Sequence, residues 1–171
     1  DVARTSSYAE TARGLGNWPL YGRAGEREFL GDYTTYLTNP FVLIATFLIP
    51  VLVGLALWRS RARLRLLVVV LLAFGLPVMV GMFPPDDPYP MGSFLSTVFD
   101  KVPASLAFRT TNKVGAVVVL AETIALVIGW RTWEGRARSR RRRLRVLAVA
   151  GMGVLLLGIS VPLWDGGLYP L

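Results

Sequence analysis

Cysteine and histidine are both absent from the 171-residue chain, and lysine occurs only at Lys101 and Lys113. Without Cys there is no disulfide, thiolate nucleophile or thiolate metal ligand. Without His there is no imidazole metal site and no Ser-His catalytic pair within the chain. Any catalysis must use carboxylates, hydroxyls, amines or backbone groups. Acid is scarce too, with 11 Asp or Glu against 19 Arg or Lys and a net charge of +8. A basic balance suits nucleic acid when it covers one face. Here the arginines cluster at the ends of apolar runs, so no nucleic-acid partner is expected.

What the chain has in excess is apolar side chain. Hydrophobic residues make up 53% of it, more than a soluble domain of this size uses. The excess is concentrated in four runs, at 41–58, 64–82, 114–130 and 144–163. Each is about as long as a helix that crosses a hydrocarbon core of about 30 Å. Lipid offers no partners to backbone N–H and C=O groups, so helices are the expected solution. The expected fold is therefore an all-α integral membrane protein with four transmembrane helices. Pro50, Pro77 and Pro162 fall in or near these runs, where neighbouring helices tolerate them.

Charge sets the expected orientation. Twelve arginines lie between runs one and two and between runs three and four, from Arg59 to Arg65 and from Arg131 to Arg145, with Glu134 the one acid among them. The other side carries seven basic and nine acidic residues. The positive-inside rule makes the arginine side cytoplasmic in a plasma membrane, with both termini extracytoplasmic. Trp58, Trp130, Trp133, Trp164 and Tyr169 fall at the expected interfaces. A polar segment at 1–39 outside, in a chain beginning at Asp1, implies that an odd number of spans precedes it in a longer protein. Residues 40–163 form the transmembrane region and 164–171 an outer tail.

Within the outer segments, Ser7 and Glu10 have capping-box spacing, which predicts a short helix over 8–13 ended by Gly14. Residues 26–30 have room for another helical turn. The loop at 83–113 opens with a stiff Pro-Asp stretch containing Asp86 and Asp87. It continues into a short helix over 93–101 whose Phe94, Leu95, Val98 and Phe99 predict an interfacial position.

Five features can carry chemistry. Asp86 and Asp87 are suited to general-base work or to a divalent cation, although turn statistics favour a solvated turn. No metal site is assigned, and a divalent-cation requirement stays open. Arg109 and Lys113 lie four apart before run three. There they can grip a lipid-linked phosphate or simply anchor the helix by snorkelling. Glu122 falls near the expected midplane, where a carboxylate is costly. It has no basic partner in the four runs, and Thr46 and Ser160 are its candidate hydrogen-bond partners. Trp18, Tyr21, Tyr33 and Tyr36 can stack on sugars or seat the domain on headgroups. The run Arg140–Arg143 suits anionic lipid, or an acidic cytosolic protein such as an acyl carrier protein. Ala150, Gly151, Gly153 and Gly158 form a small-residue strip expected to pack closely.

Three stretches, GLGNWPLYG at 14–22, YLTNP at 36–40 and FRTTNK at 108–113, resemble part of an actinobacterial cell-envelope glycosyltransferase. The family is the large arabinofuranosyltransferase D type, of the membrane-embedded C-fold class. The resemblance covers the later transmembrane helices of such a protein. It implies a polyprenyl-phosphate-linked arabinose donor and transfer to an arabinan acceptor outside the cell, with no covalent cofactor. It also implies a catalytic acid in an outer loop that would precede Asp1. Arg109 and Lys113 are the residues carried over, as donor-phosphate contacts. Two other readings stand beside it: a non-catalytic membrane subunit that pairs with further transmembrane helices, and a transporter of a lipid-linked sugar. The transporter reading lacks the internal repeat it would favour.

Overall fold

The computed structural model describes residues 6–16, 23–24, 27–28, 33–61, 63–84, 86–108, 110–136 and 142–164. These fold almost entirely as helix. The elements are α1 (Tyr8–Thr11), β1 (Arg23–Ala24), β2 (Arg27–Glu28), α2 (Tyr33–Thr38), α3 (Pro40–Arg59), α4 (Leu64–Val80), α5 (Pro90–Lys101), α6 (Gly115–Arg136) and α7 (Arg142–Trp164). Two 3-10 turns, Pro103–Phe108 and Thr111–Val114, join α5 to α6.

Local signals explain most boundaries. The capping box forms as expected, with the Ser7 N–H donating to Glu10 Oε2 at 2.9 Å and the Glu10 N–H donating to Ser7 Oγ at 3.3 Å. The helix it starts is shorter than expected, ending at Thr11 before a turn in which Gly14 adopts φ 79°. Asn39 caps α3 by accepting from the Phe41 and Val42 N–H groups, with Pro40 at the first helical position, where its missing N–H costs nothing. α4 stops at Gly81, whose φ of 64° favours glycine. The helical turn expected over 26–30 gives way at Arg27–Glu28 to an antiparallel ladder with Arg23–Ala24. Only two residues, Gly25 and Glu26 in sequence, connect the paired positions, which is hairpin spacing.

The arrangement follows from a few close approaches. A Cβ on Gly129 would lie 2.5 Å from the Ala56 Cβ, so the far ends of α3 and α6 pack backbone to backbone. A Cβ on Gly75 would lie 3.0 Å from Val118, which places the end of α4 against the start of α6. The α6 start and the N-terminal stretch share Met79, whose methyl lies 3.0 Å from a Cβ built on Gly115 and 2.6 Å from one on Gly16. Leu15 in turn packs with Tyr36 and Val42 at the α3 start. Thus α3 and α6 run parallel, and α4 runs back between their ends. α7 also runs back, because Tyr36 reaches its Ile159 carbonyl. α6 is the central helix, packed on both α3 and α4, while α7 lies on α3. The core is Val53, Val68, Ala121, Ala125 and Ile128.

Two helical segments, Pro40–Arg59 and Thr111–Glu134, are long and apolar enough to cross a membrane. The four spans expected from hydropathy are therefore reduced to two by this measure among the described residues. α4 has 17 residues because Gly81 ends it early. Among the described residues, Val149–Val161 of α7 is a shorter apolar helical segment. The small-residue strip of α7 does not pack as expected: nothing lies within 4 Å of a Cβ built on Gly151, Gly153 or Gly158. In α5, Phe99 is buried and Leu95 and Val98 are half-buried, whereas Phe94 points outward at 62% exposure. The four apolar residues therefore do not share one free face.

Candidate functional site

Two ends of the bundle differ in chemistry. One end gathers the start of α3, the end of α4, the start of α6 and the stretch 6–16. The other end carries the arginine-bearing turn from α3 to α4, and Arg131 of α6. Each sequence stretch singled out above has described residues at the first end.

The N-terminal stretch reaches into the bundle through Arg13. Arg13 is 6% exposed. Nε donates to Thr46 Oγ1 at 2.9 Å, Nη2 donates to the Tyr36 carbonyl at 2.7 Å, and the group sits 4.5 Å from the Phe47 ring centroid. Thr46 is six residues into α3, about 9 Å from its start. Its hydroxyl is turned toward Arg13 while donating to the Val42 carbonyl at 2.8 Å. The Tyr36 phenol donates to the Ile159 carbonyl at 3.1 Å, tying α2 to α7. Burial raises the phenol's pKa above its ordinary value. Tyr8 stacks on Tyr89 with centroids 5.0 Å apart, and its phenol is likewise raised, first by burial and then by Tyr89.

Sequence reading did not single out Arg13. No local pattern marks it, because its partners are 23 and 33 residues away. The polarity of Thr46 inside an apolar run was the available signal. Nearby, Ser6 Oγ and Thr11 Oγ1 are buried without a hydrogen-bond partner among the described residues. Each such group costs about 1–3 kcal/mol.

The expected site residues fare unevenly. Arg109, Trp18 and Tyr21 lie outside the described residues. Lys113 is exposed in the 3-10 turn that leads into α6. Asp86 and Asp87 are exposed in the loop after α4. Among the described residues, none of these three side chains makes a hydrogen bond or ion pair. No group of three or more acidic residues is placed to hold a metal among the described residues.

Glu122 is 7% exposed on the buried stripe of α6, with Val118, Ala121 and Ala125. Neither expected partner reaches it. Thr46 is engaged with Arg13, and Ser160 donates to the Leu156 carbonyl of its own helix. No hydrogen bond or ion pair engages its carboxyl group among the described residues.

Among the described residues, the first end of the bundle offers the buried Arg13, the exposed Lys101 and Lys113, aromatic rings and buried hydroxyls. That chemistry suits an anionic or sugar-bearing ligand, and the exposed carboxylates of Asp86 and Asp87 lie at the same end. No protein-family model, curated protein or solved structure matches the chain.

Proposed function

We propose that the chain is a multi-pass part of the membrane domain of a glycosyltransferase. It takes a sugar from a polyprenyl-phosphate donor, on the pattern of arabinofuranosyl transfer to cell-envelope arabinan. The observation that carries this reading is convergence. The described parts of 14–22, 36–40 and 108–113 come to one end, through the Leu15–Tyr36–Val42 cluster and through Met79 between Gly16 and Gly115. The described parts of the stretches that resemble the family thus lie together, at the end opposite the turn from α3 to α4.

Four spans rather than two also belong to this reading. α3 and α6 are parallel, so the chain must cross back between them, and α4 is the segment that returns. Its 17 residues cover about 25 Å, a mismatch that local bilayer thinning absorbs. The outward faces support lipid as the surroundings. Phe41, Ile44, Val51 and Trp58 on α3, and Leu66 and Phe74 on α4, are exposed beyond what a soluble monomer shows. The arginine end is then cytoplasmic and the convergent end faces outward. Arg109 and Lys113 hold the donor phosphate there, and the proton acceptor comes from outside this chain.

The test is turnover of a polyprenyl-phosphate-linked arabinose donor by membranes carrying the protein. Arg109→Ala and Lys113→Ala each remove a charge-assisted contact of about 1.5–3 kcal/mol. Turnover is expected to fall about 10–100-fold at unchanged protein level. Undiminished turnover in both variants removes the pair from the site.

One observation favours a second reading, a non-catalytic subunit. Glu122 is buried with no partner among the described residues, and an intramembrane carboxylate of that kind pairs with a basic residue on another helix. Co-purification of a second membrane protein that is lost in Glu122→Gln distinguishes this reading.

A further inference from the structure

We infer that the arginine end of the bundle holds an anionic lipid headgroup, a phosphodiester lipid bearing one net negative charge. The inference rests on the membrane reading above. Arg61, Arg63 and Arg65 follow one another on the turn from α3 to α4, and all three are exposed. Arg131 of α6 is exposed at the same level, because Ala56 and Gly129 are in contact a few residues before the two helix ends. Positive charge therefore comes from two sides of one helix junction. Glu134 is the single acid in the two connections.

These arginines add to the field at the start of α4 rather than offsetting it. That helix has no acidic residue in its first turn and no side-chain cap, and its N-terminal end already carries partial positive charge. The Arg65 Nη1 donates to the Ser60 carbonyl at 3.3 Å, which folds the turn and keeps its charges close. An anion here relieves mutual repulsion, and arginine matches phosphate with a planar fork of donors.

The occupant is a lipid rather than a soluble acidic protein because the basic patch is continuous with apolar surface. Trp58 is 75% exposed and Leu66 is 71% exposed, one on each side of the turn. A lipid supplies a phosphate for the arginines and acyl chains for these flanks in one molecule. An acidic peptide supplies carboxylates for the arginines but no acyl chains for the flanks. Juxtamembrane arginines attract anionic lipids in just this setting.

Tryptophan quenching by brominated lipid tests the inference. A chain retaining Trp58 alone (Trp18, Trp130, Trp133 and Trp164 each →Phe) is reconstituted in vesicles of phosphatidylcholine mixed with brominated phosphatidylcholine or brominated phosphatidylglycerol. Quenching by the glycerol lipid is expected at about threefold lower mole fraction or less. That preference disappears in Arg61→Gln/Arg63→Gln. Equal quenching by the two lipids overturns the inference while leaving the membrane reading intact. Absence of quenching by either lipid overturns both. The wild-type chain, with all five tryptophans, is measured alongside. If the single-tryptophan chain does not fold, the same comparison is made in an otherwise wild-type Arg61→Gln/Arg63→Gln chain. There, loss of a thermal-midpoint rise on adding phosphatidylglycerol supports the inference, and an undiminished rise overturns it.

Discussion

Arg13 joins three segments that the chain separates widely: the N-terminal stretch, α2 through the Tyr36 carbonyl, and α3 through Thr46. Each bond is charge-assisted and buried, so each is stronger than a neutral bond, and their loss exposes unsatisfied acceptors. Arg13→Met is expected to lower unfolding free energy in detergent by about 3 kcal/mol. Arg13→Lys is expected to recover little of that, because an ammonium cannot present two divergent planar donors over the Phe47 ring. A denaturant titration followed by circular dichroism measures both, and full recovery by lysine would reduce the site to a point charge. Glu122 is the opposite case, a buried polar group with nothing to offset its desolvation among the described residues. If its role is confined to this chain, Glu122→Leu should raise the melting temperature, since apolar replacement removes an uncompensated buried carboxyl. A variant that melts higher yet no longer assembles with a partner protein would instead give the carboxyl a role outside the chain.

At the scale of elements, glycine decides which helices approach. The Gly129 Cα faces Ala56 so closely that an added methyl would overlap it, and both atoms belong to helix backbones that cannot step aside. Gly129→Ala is expected to cost about 1–3 kcal/mol, with Ala56→Gly restoring much of the loss in the double variant. Gly151→Ala and Gly158→Ala meet open space and should be neutral, or stabilising by up to about 1 kcal/mol from helix propensity. Equal losses at all three positions would mean that α7 is covered in solution. This contrast also marks what a sequence can reveal. Glycine spacing is visible in α7, where the structure leaves the strip open. The glycines that set the contacts of α3 and α4 with α6, Gly129 and Gly75, form no small-residue strip: Gly75 is the one glycine of α4, and Gly129 lies fourteen residues from Gly115. Helix existence was legible because apolar runs are a local signal. The capping box at Ser7 and Glu10 was legible for the same reason. The pairing at Arg23–Ala24 and Arg27–Glu28 was not, because two-residue strands have no periodicity to read. Nor was Arg13, whose significance lies entirely in distant partners. Lys113, Asp86 and Asp87 were identified by charge and position, and the structure places all three at the surface without joining them.

For the whole molecule, the parallel course of α3 and α6 constrains the topology more tightly than hydropathy does. Two parallel spans cannot be linked without a third crossing. The short α4 must therefore traverse the bilayer, or α3 and α6 cannot both do so. The absence of cysteine makes this directly measurable, because any introduced thiol is unique. Thr38 and Thr97 are exposed at the convergent end, and Arg61 is exposed at the arginine end. In intact cells, a membrane-impermeant maleimide should label Thr38→Cys and Thr97→Cys and should label Arg61→Cys only after permeabilisation. The pair Thr38 and Thr97 carries the weight, since α3 and α4 both lie between them. Labelling of both from outside requires an even number of crossings, which α3 and α4 supply together. If Thr97→Cys were protected while Thr38→Cys reacted, α4 would not span. α6 would then enter from the opposite side, antiparallel to α3, and the contact between Ala56 and Gly129 could not form. The Gly129→Ala penalty would vanish with it. The labelling pattern and the stability of the α3–α6 contact therefore stand or fall together.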